Sequence, residues 1–183
     1  GGKYVGEFKD GLIDGEGTFN RVDGRIDVGK FNNGVIDGKG TFYFPDGGIY
    51  VGEVYNTINY QTRTHGKGTF TFSNGEKYAG EWKDGKENGQ GKHFRDDGSL
   101  EYDGKWRNGK QHGQGIYTWP DGRKYVGGFK NGNPHGHGTI TWADGGKYVG
   151  KIKNAVFHGK GKFYDANGKL MYEGEWKKGK LHG

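Results

Sequence analysis

Three sets of residues recur at spacings that could support chemistry. The first is histidine: His65, His112, His135, His158 and His182 each stand immediately before a glycine. The second is a basic row, Lys9, Lys83, Arg107, Lys130, Lys153 and Lys177, in which each cation directly follows an apolar residue, aromatic in five cases. The third is a ring row that includes Tyr78, Trp82, Tyr102, Trp106, Tyr125, Phe129 and Tyr148. Glycine pairs such as Gly89-Gln90-Gly91 complete the inventory. Catalysis is the first thing to weigh. Asp23, Asp46, Asp121 and Asp144 fall where Asp-Gly turn chemistry explains them. No Ser-His-Asp or paired-carboxylate arrangement stands apart from the periodic pattern. A phosphate-cradling glycine loop needs a helix N-terminus behind it, and no helical periodicity follows any Gly-x-Gly. The chain therefore reads as non-catalytic, with no cofactor.

The elements that must position these residues are copies of one unit. The stretch Tyr102–Lys124 is one copy, and the next begins at Tyr125. Copies start near residues 4, 27, 50, 78, 102, 125, 148 and 172, seven complete and the last partial, in a single array over 1–183. Asp27 replaces the tyrosine of copy two. Val54 and Ile152 replace the second ring of copies three and seven, and Ala155 replaces a glycine of copy seven. Copy three also carries a long loop insertion at about 55–65. Within a copy the period is two. Tyr102, Gly104 and Trp106 alternate with Asp103, Lys105 and Arg107, and Gly113, Gly115, Tyr117 and Trp119 follow a turn. Such alternation, bounded by glycine and asparagine, reads as strands. Each copy is a hairpin whose strands are joined by a segment such as Arg107–His112, and Pro120-Asp121-Gly122 passes the chain to the next. One face carries rings and glycines; the other carries Lys, Glu, Gln and Thr. The glycines are seats for the rings, and Gly85, Gly109 and Gly132 take positive φ in the hairpin loops.

A lone hairpin is not stable, so the copies stack. The expected fold is all-β: an elongated twisted ribbon, or solenoid, of antiparallel hairpins. About fifteen strands at ~4.8 Å would span roughly 70 Å. On such a ladder successive histidines lie ~9–10 Å apart, too far to share a zinc that needs nitrogens at ~2.0–2.1 Å. No metal site is expected; the histidines read as turn residues.

Composition agrees. Gly is 41 of 183 residues, yet Trp, Tyr and Phe number 5, 12 and 11, which excludes a disordered chain. Three prolines and no triplet period exclude collagen. There is no cysteine, which fits a reducing compartment such as the cytoplasm. No apolar run reaches the ~20 residues of a spanning helix. The chain starts without Met and stops inside a repeat, which reads as a piece of a longer protein. The net charge of +6 slightly favours acidic partners.

The pattern Tyr-x-Gly-x-[Trp/Phe]-x-x-Gly-x-x-x-Gly-x-Gly resembles the MORN (membrane occupation and recognition nexus) repeat, best at Tyr78–Gly91, Tyr102–Gly115 and Tyr125–Gly138. Choline- or glucan-binding wall repeats are also hairpins of glycine and rings, but they place paired aromatics next to the turn. The resemblance implies a ribbon with an aromatic concave side and several roles: cytoskeletal scaffold, membrane junction, phosphoinositide binding, or docking surface for a helix or a second copy. It places the chain in the cytoplasm, at the cytoskeleton or the cytoplasmic face of a membrane. Two surfaces follow. A one-layer ribbon cannot bury its whole ring stripe. A groove formed by Tyr78, Trp82, Tyr102, Trp106, Trp119, Tyr125, Phe129, Trp142 and Tyr148 would then take a partner's helix or extended segment, while an open terminal edge would favour self-association. Lys83, Arg107, Lys130, Lys153 and Lys177 would contact an anionic surface such as phospholipid. Rings and cations face opposite sides, which argues against nucleic acid.

Overall fold

The computed structural model describes residues 1–56 and 62–183. Two compact units divide the chain, Gly1–Ser99 and Leu100–Gly183. The first holds β1 (Lys3–Lys9), β2 (Leu12–Asn20), β3 (Ile26–Asn32), β4 (Val35–Tyr43), β5 (Ile49–Asn56), β6 (Thr62–Thr71), β7 (Lys77–Lys83) and β8 (Lys86–Phe94). The second holds β9 (Leu100–Arg107), β10 (Lys110–Thr118), β11 (Lys124–Lys130), β12 (Asn133–Thr141), β13 (Lys147–Lys153), β14 (Val156–Tyr164), β15 (Leu170–Lys177) and β16 (Lys180–Leu181). All are antiparallel, and within each unit every strand pairs with its sequence neighbours, so each unit is an open meander of hairpins.

The hairpin turn is shorter than the sequence predicts. Lys83 pairs with Lys86 and Arg107 with Lys110, which leaves two-residue turns at Asp84-Gly85 and Asn108-Gly109. Both residues of these turns have positive φ, 50° and 84° in the first and 49° and 80° in the second. These are mirror-image turns, whose twist matches that of the strands they join. The turn glycine also ties hairpin to hairpin: the Gly85 N–H donates to Thr64 O at 3.0 Å and Gly132 N–H to Gln111 O at 2.9 Å. Segment Arg107–His112 is therefore mostly strand, and the second strand starts before the histidine.

Between copies the chain reverses in a tighter knot. Trp119 N–H donates to Arg123 O (2.8 Å), Gly122 N–H to Trp119 O (3.0 Å), and Asp121 Oδ1 accepts the Arg123 N–H (3.0 Å). The expected loop at about 55–65 is strand in its described part. Val54 pairs with Thr64, Tyr55 with Arg63 and Asn56 with Thr62; the rest, 57–61, lies outside the described residues.

Each hairpin except the last, β15–β16, carries one irregularity, and it explains most of the glycines. Gly80 faces Gly91, but Trp82 faces Glu87, so three residues of β8 oppose one of β7. Gly89 turns through φ 93° inside this bulge. The bulge leaves backbone groups to be satisfied. Tyr78 Oη donates to Glu81 O at 2.8 Å, and the Glu81 carboxylate accepts the Gln90 N–H. To reach that carbonyl the Tyr78 ring lies across the glycine pair, and a Cβ on Gly91 would sit 2.2 Å from its hydroxyl oxygen.

The face opposite the rings is less polar than the sequence predicts. Val5, Val51, Val126 and Val149 stand exposed there, paired with Thr18, Thr69, Thr139 and Lys162. β-branched residues suit a half-exposed pleated surface.

Candidate partner-binding surface

The tyrosine row is the core. Tyr50, Tyr78, Tyr102, Tyr125 and Tyr148 are fully buried, and each hydroxyl donates to the carbonyl three residues on. Burial pushes the phenols of Tyr50, Tyr102, Tyr125 and Tyr148 upward, Tyr125 to about 12. Each tyrosine is clamped edge-on by rings. Tyr102 meets Trp106 of its own copy at 5.2 Å and Phe129 of the next at 5.0 Å; Tyr4 meets Phe8 and Phe31, both at 5.2 Å. Such edge-to-face pairs add ~0.5–1.5 kcal/mol each beyond buried area.

The groove predicted from sequence thus divides in two. Tyr78, Tyr102, Tyr125 and Tyr148 form its floor, with Trp82 and Phe129 almost as deeply buried. Trp106, Trp119 and Trp142 remain half-buried. In the second unit these three, with Tyr117, Phe157, Phe163 and Trp176, pack over the buried cluster of Tyr102, Tyr125, Phe129, Tyr148 and Ile152. Tyr117 meets Trp119 at 4.9 Å, and the Arg123 guanidinium lies 4.9 Å from the Trp119 ring centroid. In the second unit the half-exposed part of the ring face is therefore a tryptophan strip above a tyrosine floor.

A further row on the ring face escapes sequence reading. Ile13, Ile36, Thr64, Glu87, Gln111, Pro134, Phe157 and Leu181 each sit directly opposite the second ring position of their copy. The bulge breaks the period-two count before it reaches them. Their signal was position: most lie two residues past the turn glycine.

The departing copies now have physical accounts. In copy seven Ile152 replaces the ring, and its cross-strand partner Phe157 supplies one, stacked on Tyr148 at 4.1 Å. In copy two Asp27 takes the tyrosine's place and is fully buried. Arg25 grips it through Nε (2.6 Å) and Nη2 (3.0 Å), Arg21 adds a third ion pair, and the Arg25 guanidinium stacks 4.4 Å from the Phe42 ring centroid. In copy three Val54 faces Thr64, so neither strand supplies a ring. A cavity of about 430 Å³ opens beside Thr64, walled by Phe42, Phe44, Phe70, Phe72 and Trp82.

The basic row is exposed but lies at the edge formed by the hairpin turns. Lys83, Arg107, Lys130, Lys153 and Lys177 each occupy the last paired position before the turn, opposite Lys86, Lys110, Asn133, Val156 and Lys180. Three of these five pairs set like charges face to face, an arrangement that costs stability. Glu7, Glu53 and Glu81, which the sequence places among these cations, instead bind backbone N–H groups of their bulges. In the second unit 15 Lys and Arg stand against 7 Asp and Glu.

His65, His112, His135 and His158 are strand residues, the first of the three in each bulge, rather than turn residues, whereas His182 follows β16; among the described residues Nδ1 of His65 and His135 is buried without a hydrogen-bond partner. Among the described residues no cluster of three His, Asp or Glu is placed to hold a metal ion, and no helix is long and apolar enough to cross a membrane.

The sequence profile of the MORN repeat matches at 4–24, 28–49, 62–77, 78–100, 102–122, 125–147, 148–169 and 172–183. The chain belongs to the MORN repeat family. No curated protein matches this MORN chain by sequence. Among solved structures it is similar to the TCP domain of Drosophila melanogaster SAS-4 (dCPAP), solved in complex with a proline-rich motif of Ana2 (dSTIL). Identity there is 11%, covering 92% of this chain and 86% of that one, with a TM-score of 0.40. The G-box domain of the microcephaly protein CPAP is 17% identical over 97% of this chain and 100% of its own, with a TM-score of 0.41. The TCP10 domain of Danio rerio CPAP is 14% identical over 91% of each chain, with a TM-score of 0.29.

Proposed function

We propose that this MORN array is a non-catalytic scaffold that binds a protein segment along the tryptophan strip of its second unit. One observation carries the reading: Trp106, Trp119 and Trp142 stay half-buried above tyrosines that are completely covered. Tryptophan is the side chain most enriched among residues that dominate interface energies, and a sheet face of rings accepts an amphipathic helix or an extended segment. The test is selection from a random displayed-peptide library on the native array, repeated on a Trp119→Ala/Trp142→Ala variant whose strand content is verified by circular dichroism. Peptides that bind the native array and lose at least tenfold in affinity on the variant support the reading. Peptides that bind both equally overturn it.

The cation-lined turn edge favours a second reading, a peripheral module on an anionic membrane, which would place the chain at the cytoplasmic face of a bilayer. Basic residues near such a surface gain about 1 kcal/mol each. Flotation with phosphoinositide-containing liposomes tests it. Binding should fall with salt and disappear in Arg107→Glu/Lys130→Glu/Lys153→Glu; binding that the triple charge reversal leaves unchanged counts against this edge.

A further inference from the structure

Among the described residues, copy three has no ring at its second ring position or opposite it. In copies one, four, five, six and eight, the tyrosine meets a ring of its own copy four residues on, at 5.0 to 5.6 Å. Copy seven meets the same need from the opposite strand, through Phe157. Copy two has no tyrosine to clamp, because Asp27 replaces it. Tyr50 of copy three meets rings of the copies on either side, Phe42 at 5.8 Å and Trp82 at 5.5 Å, but among the described residues none of its own copy, with Val54 and Thr64 where its own ring belongs. The 430 Å³ cavity is lined by Thr64 and by five aromatic side chains, among them Phe42 and Trp82, the two rings that flank Tyr50.

The polar atoms around it narrow the occupant. Thr64 is 7% exposed, and its hydroxyl has no hydrogen-bond partner among the described residues. A buried hydroxyl left unpaired costs roughly 1–3 kcal/mol, so an occupant with a matching polar atom gains more here than a plain hydrocarbon. An anion gains little, because the Arg25 guanidinium is already held by Asp27, and Asp84 and Glu87 line the cavity along with Arg63. Burial raises the Glu87 carboxyl's pKa, which disfavours its charged form.

We propose that this cavity is an anchor site for a tyrosine or tryptophan side chain from a partner segment, which supplies the ring that copy three lacks. The assignment of the ring to a protein rests on the partner-binding reading above; the cavity's preference for a polar aromatic ring does not. The array supplies its own precedents, since Phe157 fills the equivalent space from the position that Thr64 occupies here.

The probes are p-cresol, toluene and the capped peptide Gly-Gly-Tyr-Gly-Gly, titrated into the full chain and followed by amide and indole shifts. The expected result is saturable shifts at Thr64, Glu87 and the Trp82 indole with p-cresol and with the peptide. Thr64→Val should weaken p-cresol by about three- to tenfold, the worth of one hydrogen bond, and leave toluene unchanged. Thr64→Phe should abolish all three and raise Tm; Val54→Phe repeats that test should Thr64→Phe fail to fold. Absence of saturable shifts at these residues on the unaltered chain overturns the proposal. So does p-cresol binding without peptide binding, which would make the cavity a site for free aromatic molecules only. Peptides selected on the tryptophan strip should still bind Thr64→Phe, so loss of the anchor and loss of the general partner reading are separable.

Discussion

At the scale of single residues, the fold turns on glycines that lie under rings. A Cβ on Gly91 would lie 2.2 Å from the Tyr78 hydroxyl and 2.4 Å from its ring carbon, and that ring is fully buried with nowhere to move. Gly40 has the same place in copy two, but there Asp27 stands for the tyrosine, and a Cβ would meet the flexible end of Ile36 at 3.0 Å and the Val28 carbonyl oxygen at 3.3 Å. Gly91→Ala should therefore cost about 1–3 kcal/mol, the range for overpacking, and Gly40→Ala clearly less. Urea titration of both variants checks this, and equal losses would mean that ring seating does not explain these glycines. Asp27 itself is the second test. Asp27→Ala leaves Arg21 and Arg25 without their counter-ion in a covered site, so the loss should be about 3–5 kcal/mol. A loss below about 1 kcal/mol would show that water reaches the arginines.

At the scale of the hairpin, turn chemistry and bulge chemistry are separable. Asn154-Ala155 forms the turn of copy seven at φ 50° and 64°. An alanine there bears the steric cost of a left-handed conformation that glycine does not. Ala155→Gly should raise stability by up to about 1 kcal/mol despite the freedom it adds to the unfolded chain, and a fall in Tm would contradict that account. The turns were legible in the sequence because Asn-Gly and Asp-Gly pairs specify them locally. So were the strands, the stacking order and the pairing of rings with glycines. The bulge was not, because three residues opposing one leave no periodic trace. Missing it placed His112 in a loop rather than a strand and hid the row that includes Thr64, Glu87 and Phe157. The same omission made Glu81 read as a surface charge when its carboxylate holds the Gln90 N–H. For the candidate site, sequence found the rings but not their depth. Tyr102 and Trp106 are two residues of one stripe on paper, and only packing shows that the first is covered and the second half-open.

At the scale of the whole molecule, the chain is held by phenols where other proteins use aliphatic side chains, and this sets how it fails. Apart from Phe31, Phe42, Ile36 and Ile152, the fully covered apolar side chains are Tyr50, Tyr78, Tyr102, Tyr125 and Tyr148. Their hydroxyls are donors to bulge carbonyls, a role that only the protonated form can fill. Burial raises the ionisation of Tyr50, Tyr102, Tyr125 and Tyr148 above the ordinary value of 10.0, Tyr125 to about 12. Between those limits the unfolded chain has lost protons that the native chain still binds, so stability falls as pH rises. The contribution is fully present below about pH 10 and is lost as pH climbs through the folded-state values. Tm should therefore decline from about pH 10 upward, with tyrosinate absorbance near 295 nm appearing in step with loss of strand signal rather than ahead of it. Tyr125→Phe should flatten part of that decline while lowering Tm at pH 7, since the Gly128 carbonyl loses its donor. Tyrosinate absorbance that rises near pH 10 in a chain that stays folded would mean that the row opens to water without unfolding.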